Sequence, residues 1–164
     1  MVYNNSQNPS KLIVEGRYVK VEENNLKACG YDVLYWEDDM WKKAHIESLG
    51  GNKKGKYRVY LSKSKKGCTF HYLHNFIYAY YMGWDRLLPK GDWCVHHICY
   101  NIDNYNDLSN LVYMPISEHC RYHRYERYLL NKNYDSDEKT SIIKLMGSIV
   151  DEYIRIKHND MMSQ

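Results

Sequence analysis

Four of the eight histidines in this 164-residue chain fall in one short window, His96 and His97 side by side and His119 and His123 four apart. Imidazole both binds borderline metal ions and exchanges protons near neutral pH. The stretch Trp93–Ile98 (WCVHHI) is rich in β-branched and aromatic residues and is predicted as a strand. Neighbouring strand residues point to opposite faces, so His96 and His97 must do different jobs. Residues four apart on a helix share a face, so His119 and His123 can aim at one point. A strand packed on that helix brings one of the paired imidazoles to the same point. The expectation is a divalent-metal site with open positions and a neighbouring imidazole able to act as a base. Phosphodiester hydrolysis needs that pair: a base to activate water, and a cation to stabilise charge on the phosphate and the departing 3′ oxygen. Buried, hydrogen-bonded structural histidines are the alternative reading.

The elements that must position these rings follow from punctuation and periodicity. After the strand comes a loop dense in Asn and Asp, from Cys99 to Asn110, then a short strand Leu111–Met114 that Pro115 stops. Ser117 is the expected N-cap of a helix from Glu118 to about Leu130. Upstream, Tyr57–Ser62 and Cys68–Tyr72 read as a hairpin around the basic turn Lys63–Gly67, leading into a helix from His74 to Met82 closed by Gly83. Glu138–Ile156 is amphipathic at helical spacing and should dock by its apolar face, on the core or across a dimer seam. Residues 1–10 are polar, and Lys11–Val21 and Tyr31–Trp36 are expected strands. The fold class expected is α+β: small β-hairpin elements with a C-terminal helix. Residues 1–50 form a β-containing segment of unknown role, residues 51–132 the main domain, and residues 138–157 the terminal helix.

Composition narrows the partners. No apolar run approaches the ~20 residues of a bilayer span, and the polar start has no signal-peptide core, so a soluble cytoplasmic protein is expected. Five cysteines without CxxC spacing argue for reduced thiols rather than a disulfide framework or a four-cysteine zinc site. Eighteen tyrosines against two phenylalanines suit half-buried packing or, alternatively, stacking on bases. The net charge is only +3, but it is unevenly placed. Glu22–Glu47 is acidic, whereas Gly51–Trp84 has no acidic residue and carries Lys53, Lys54, Lys56, Arg58, Lys63, Lys65 and Lys66. Such a block points to a polyanion, and Arg121, Arg124 and Arg127 can form a guanidinium ridge on the later helix.

Val95-His96-His97-Ile98, an Asn-rich loop with Asn101, Asn104 and Asn106, then Ser109-Asn110-Leu111, Ser117-Glu118-His119 and His123 resemble the HNH (His-Me finger, ββα-metal) motif. The likeness is nearest to the HNH homing endonucleases of bacteriophages and mobile introns. It extends upstream over the hairpin and the short helix, about 75 residues in all from Tyr57 onward. The resemblance implies a ββα-metal finger at about 93–131 and a metal-dependent DNA endonuclease, nicking as a monomer or cutting both strands as a homodimer. It makes His96 and His119 metal ligands, His97 the general base, and Asn110 the residue that ties the loop and helps hold the base. His123 falls at a position that some relatives use as a ligand and others do not. One divalent ion is implied, Mg2+ or Mn2+ first, with Ni2+ or Zn2+ accepted by imidazole ligands. The basic hairpin residues, with Arg121 and Arg124, are the expected DNA contacts. Cys99-Tyr100-Asn101 stands where the family has Asp-Gly-Asn, in a loop one residue longer than the commonest pattern. That departure motivates the alternative, a weak or inactive HNH-fold protein that binds DNA or a host protein, for instance as an inhibitor.

Overall fold

The computed structural model describes residues 11–50, 56–62, 69–87, 91–99 and 105–163. Over these residues the protein is mixed α+β, with small antiparallel sheets and three α-helices. It divides into two compact units, residues 1–87 and 88–164.

The first unit begins with a four-stranded meander, β1 (Ile13–Val14), β2 (Arg17–Glu23), β3 (Tyr31–Glu37) and β4 (Met40–Lys43). The strand expected over Lys11–Val21 is in fact a hairpin: Glu15 and Gly16 take φ of 51° and 74°, and Val14 pairs with Arg17 across them. Asp38 and Asp39, at φ of 53° and 58°, turn β3 into β4 in the same way. Two successive left-handed residues give a turn whose twist matches that of the flanking strands. A second sheet orders β5 (His45–Ser48), β6 (Tyr57–Tyr60) and β7 (His71–Tyr72), so the expected hairpin is one pair in a three-stranded sheet. Its basic turn lies outside the described residues. Helix α1 (Leu73–Tyr81) packs on β2, β6 and β7, burying Leu73, Phe76, Ile77 and Ala79 completely.

One buried charge in this unit has a measurable signature. Asp32 accepts from Asn24 Nδ2 at 2.8 Å, Lys43 Nζ at 2.9 Å and Lys27 Nζ. Burial by itself would raise its pKa, but the hydrogen bonds from Lys27, Lys43 and Asn24 outweigh it and hold the carboxyl well below the usual carboxylate range. A depressed folded-state value contributes stability that is present above the unfolded value of about 4 and is lost as pH falls through that value toward the folded one. Asp32→Asn should therefore cost about 1–3 kcal/mol at neutral pH, and urea melts of the two proteins should converge as the pH is lowered below about 4.

The second unit is built from an antiparallel hairpin, β8 (Trp93–His97) and β9 (Leu111–Pro115), and two helices, α2 (Ile116–Asn131) and α3 (Ser136–Met162). Helix α2 packs on both strands, and α3 packs on α2 and β9. The apolar centre is Val112, Met114 and Val150, with Cys94, Ile98, Tyr122, Tyr153 and Ile154 against it. Helix α2 starts earlier than Ser117 would place it: Pro115 occupies the cap position, and the Ile116 amide donates to Asp92 O at 2.6 Å. A backbone carbonyl from outside the helix thus satisfies its first orphan amide, which begins the helix before Ser117. Helix α3 is longer than expected at both ends; it starts at Ser136 because Asp135 caps it through the Asp137 and Glu138 amides, and it runs on to Met162. Among the described residues, no helix is long and apolar enough to cross a membrane.

Candidate metal centre

Alternation along β8 separates the paired histidines as expected. Both are buried, His96 at 1% and His97 at 4% exposure. His96 faces α2, where its ring centroid lies 5.1 Å from that of His119 and 5.2 Å from that of His123, with Tyr122 edge-on at 4.7 Å. The helical spacing of His119 and His123 brings their own rings to 4.5 Å. One nitrogen from each of the three residues lies within 4.8 Å of the other two, a separation that one ion could bridge. Among the described residues, this is the group of histidine, cysteine and acidic side chains that could hold a metal, and it includes no cysteine. Cys29, Cys94, Cys99 and Cys120 are free thiols. Burial pushes the Cys94 thiol up to about 11, aided by the neighbouring Cys120, and its side chain packs against the core of this unit.

His123 carries an outer partner that the sequence reading did not single out. Its Nδ1 lies 2.8 Å from Glu126 Oε2, one helical turn on. A carboxylate there fixes Nδ1 as the protonated nitrogen and leaves Nε2 as the donor toward a metal. Helical i,i+3 spacing was the available signal. Glu126→Gln should lower metal affinity about 10- to 100-fold, as measured by competition with a chromophoric chelator.

His97 faces the other way, into the loop that precedes β9. Its ring stacks on Tyr105, with centroids 3.9 Å apart and planes 11° apart, and its Nε2 lies 3.3 Å from Asn106 Oδ1. An amide oxygen only accepts, so the contact places the proton on Nε2 and the basic lone pair on Nδ1. Asn110 knots this loop. Its Oδ1 accepts from the Cys99 amide at 2.8 Å, and its Nδ2 donates to Cys99 O at 3.0 Å and to Tyr105 O at 2.8 Å. Its backbone carbonyl accepts from the Ile98 amide at 2.9 Å. Asn110 therefore holds the end of β8 to the turn bearing Tyr105, while Asn106 and Tyr105 touch the His97 ring.

The expected DNA contacts are placed unevenly. Lys53, Lys54, Lys63, Lys65 and Lys66 lie outside the described residues. Lys56 is half-buried, and Arg58 lays its guanidinium over Phe70, 4.5 Å from the ring centroid. Arg121 is exposed but tied to its own helix, to Glu118 at 3.4 Å and to the Tyr125 hydroxyl at 3.2 Å. Arg124 is exposed, and with Arg127, Tyr128, Asn131 and Lys132 it lines a cleft of about 380 Å³. The cleft has three cations and no acid in its lining, which suits phosphate.

No protein-family model, curated protein or solved structure gives a significant match to this chain.

Proposed function

We propose that the chain is a metal-dependent DNA endonuclease of the HNH type, with β8, β9 and α2 as its ββα-metal finger. The observation that carries this reading is the convergence of His96, His119 and His123 within 4.8 Å of one another, with His97 next to His96 on the opposite strand face. The three donors fit a divalent ion, and Glu126 already orients one of them. Imidazoles alone rank Zn2+, Ni2+ and other transition ions ahead of Mg2+, which reorders the preference expected from the family. When bound, the ion supplies Lewis-acid stabilisation to a DNA phosphate and to the leaving 3′ oxygen. His97, neutral and with its lone pair on Nδ1, takes the proton from the attacking water. Asn106 and Tyr105 hold the ring's tautomer and plane, and Asn110 holds the loop that carries them. The products are 5′-phosphate and 3′-hydroxyl ends. Arg124 and the basic residues of the first unit bind the phosphate backbone.

Supercoiled plasmid incubated with the protein and Mn2+, Ni2+, Zn2+ or Mg2+ should be nicked, and EDTA should stop the reaction. Supercoiled DNA that persists across all of these ions would contradict the endonuclease reading. A second reading, an HNH-fold protein that binds DNA or another protein without cutting, is favoured by one observation. The His97 ring is almost fully buried, stacked and hydrogen-bonded, as a structural histidine would be.

A further inference from the structure

We propose that Lys157, near the end of α3, is a positioning residue for His97, its buried ammonium clamping the turn that contains Asn110. This rests on the reading of His97 as the base. Val150, Tyr153 and Ile154 form the packed stripe of α3, and the next position on that stripe is Lys157. An apolar side chain there would extend the core; a lysine is costly to bury unless its charge is answered. Lys157 is 7% exposed, and its Nζ donates to Leu111 O at 2.9 Å and to Leu108 O. These two carbonyls bracket Asn110 on either side.

Both contacts lead to His97 by short paths. Leu111 is the residue directly opposite His97 in the β8–β9 register. Leu108 opens the 3₁₀ turn Leu108–Asn110, which Asp107 caps through the Ser109 amide at 2.8 Å. From that turn Asn110 reaches Cys99 and Tyr105, and Tyr105 and Asn106 reach the imidazole. Burial lowers the pKa of the Lys157 ammonium, and the negative charge of nearby Asp107 opposes that shift in part. The contacts from Lys157 to His97 run through none of His96, His119 and His123, so the clamp and the metal centre can be tested separately.

The test compares Lys157→Met, which keeps the length and removes the donors, with Lys157→Arg, which keeps charged donors. In the full-length protein, amide exchange at Cys99, whose N–H bonds Asn110 Oδ1, should speed up about tenfold or more in the Met variant. Exchange in α2 and in the first unit should stay unchanged, as should affinity for Co2+. The maximal cleavage rate should fall about 10- to 100-fold with KM for DNA unmoved, and Lys157→Arg should recover part of both losses. Unchanged exchange at Cys99, or loss of protection throughout the second unit together with loss of Co2+ binding, would overturn the proposal. Faster exchange at Cys99 in a chain whose parent does not cut DNA would support the clamp and overturn the catalytic role given to His97.

Discussion

Replacing His97 with alanine should reduce metal-dependent DNA cleavage by about 10²- to 10⁴-fold, the range expected for loss of a positioned general base. Metal affinity should not change, because His97 lies on the opposite strand face from His96, stacked on Tyr105 and against Asn106. The dissociation of those two quantities is the informative result. A purely structural histidine, packed on Tyr105, would instead cost stability and take metal binding down with the strand. Asn106→Ala should reproduce part of the kinetic loss, since it frees the tautomer while leaving the imidazole in place. The two losses should not add when combined, because the amide acts only through the ring. Retention of full activity by His97→Ala would mean that the attacking water is activated elsewhere.

His96→Gln should abolish stabilisation by metal. A ligand that binds only the folded state at about 100 times its Kd adds about 2.7 kcal/mol, so Zn2+ or Ni2+ should raise the melting temperature of the parent protein and leave that of the variant unmoved. His96 is the ligand to remove because it is the buried one, at 1% exposure, and comes from the strand. His119 and His123, left alone on their helix, lack the third donor and should bind too weakly to shift the melting temperature. The variant without metal should lose about 1–3 kcal/mol from altered packing against Tyr122, so the comparison is made between each protein with and without metal. A metal-induced shift that survives in His96→Gln would place the ion elsewhere.

The three-imidazole group was legible because it rests on two local periodicities, strand alternation at His96-His97 and the helical turn from His119 to His123. Each survives any tertiary context that keeps β8 as a strand and α2 as a helix. The knot around Asn110 was legible only as a role implied by resemblance, and the side chain acts on the loop rather than on the ring itself. It is Asn106 that reaches the ring, a residue that read as one of several in a polar loop. The turn at Glu15-Gly16 escaped because glutamate seldom takes left-handed φ, and the turn at Asp38-Asp39 because it lacks the glycine that usually marks such a hairpin. Strand β4, which follows the Asp38-Asp39 turn, was lost with it. The cap of α2 was misplaced because the Ile116 donor is satisfied by Asp92, a residue 24 positions earlier that no local rule inspects. Lys157 carried no local signal at all: its partners lie 46 and 49 residues away, and along α3 it reads as one more charged residue.

Both the proposed cleavage and the metal-dependent stability require one ion shared by His96, His119 and His123. Titration of the metal-free chain with Co2+, followed by visible absorption, tests it most directly. One equivalent should bind, with ligand-field bands that are lost in His96→Gln, weakened in Glu126→Gln and retained in His97→Ala. Absence of stoichiometric binding, or a spectrum indifferent to His96, would contradict it.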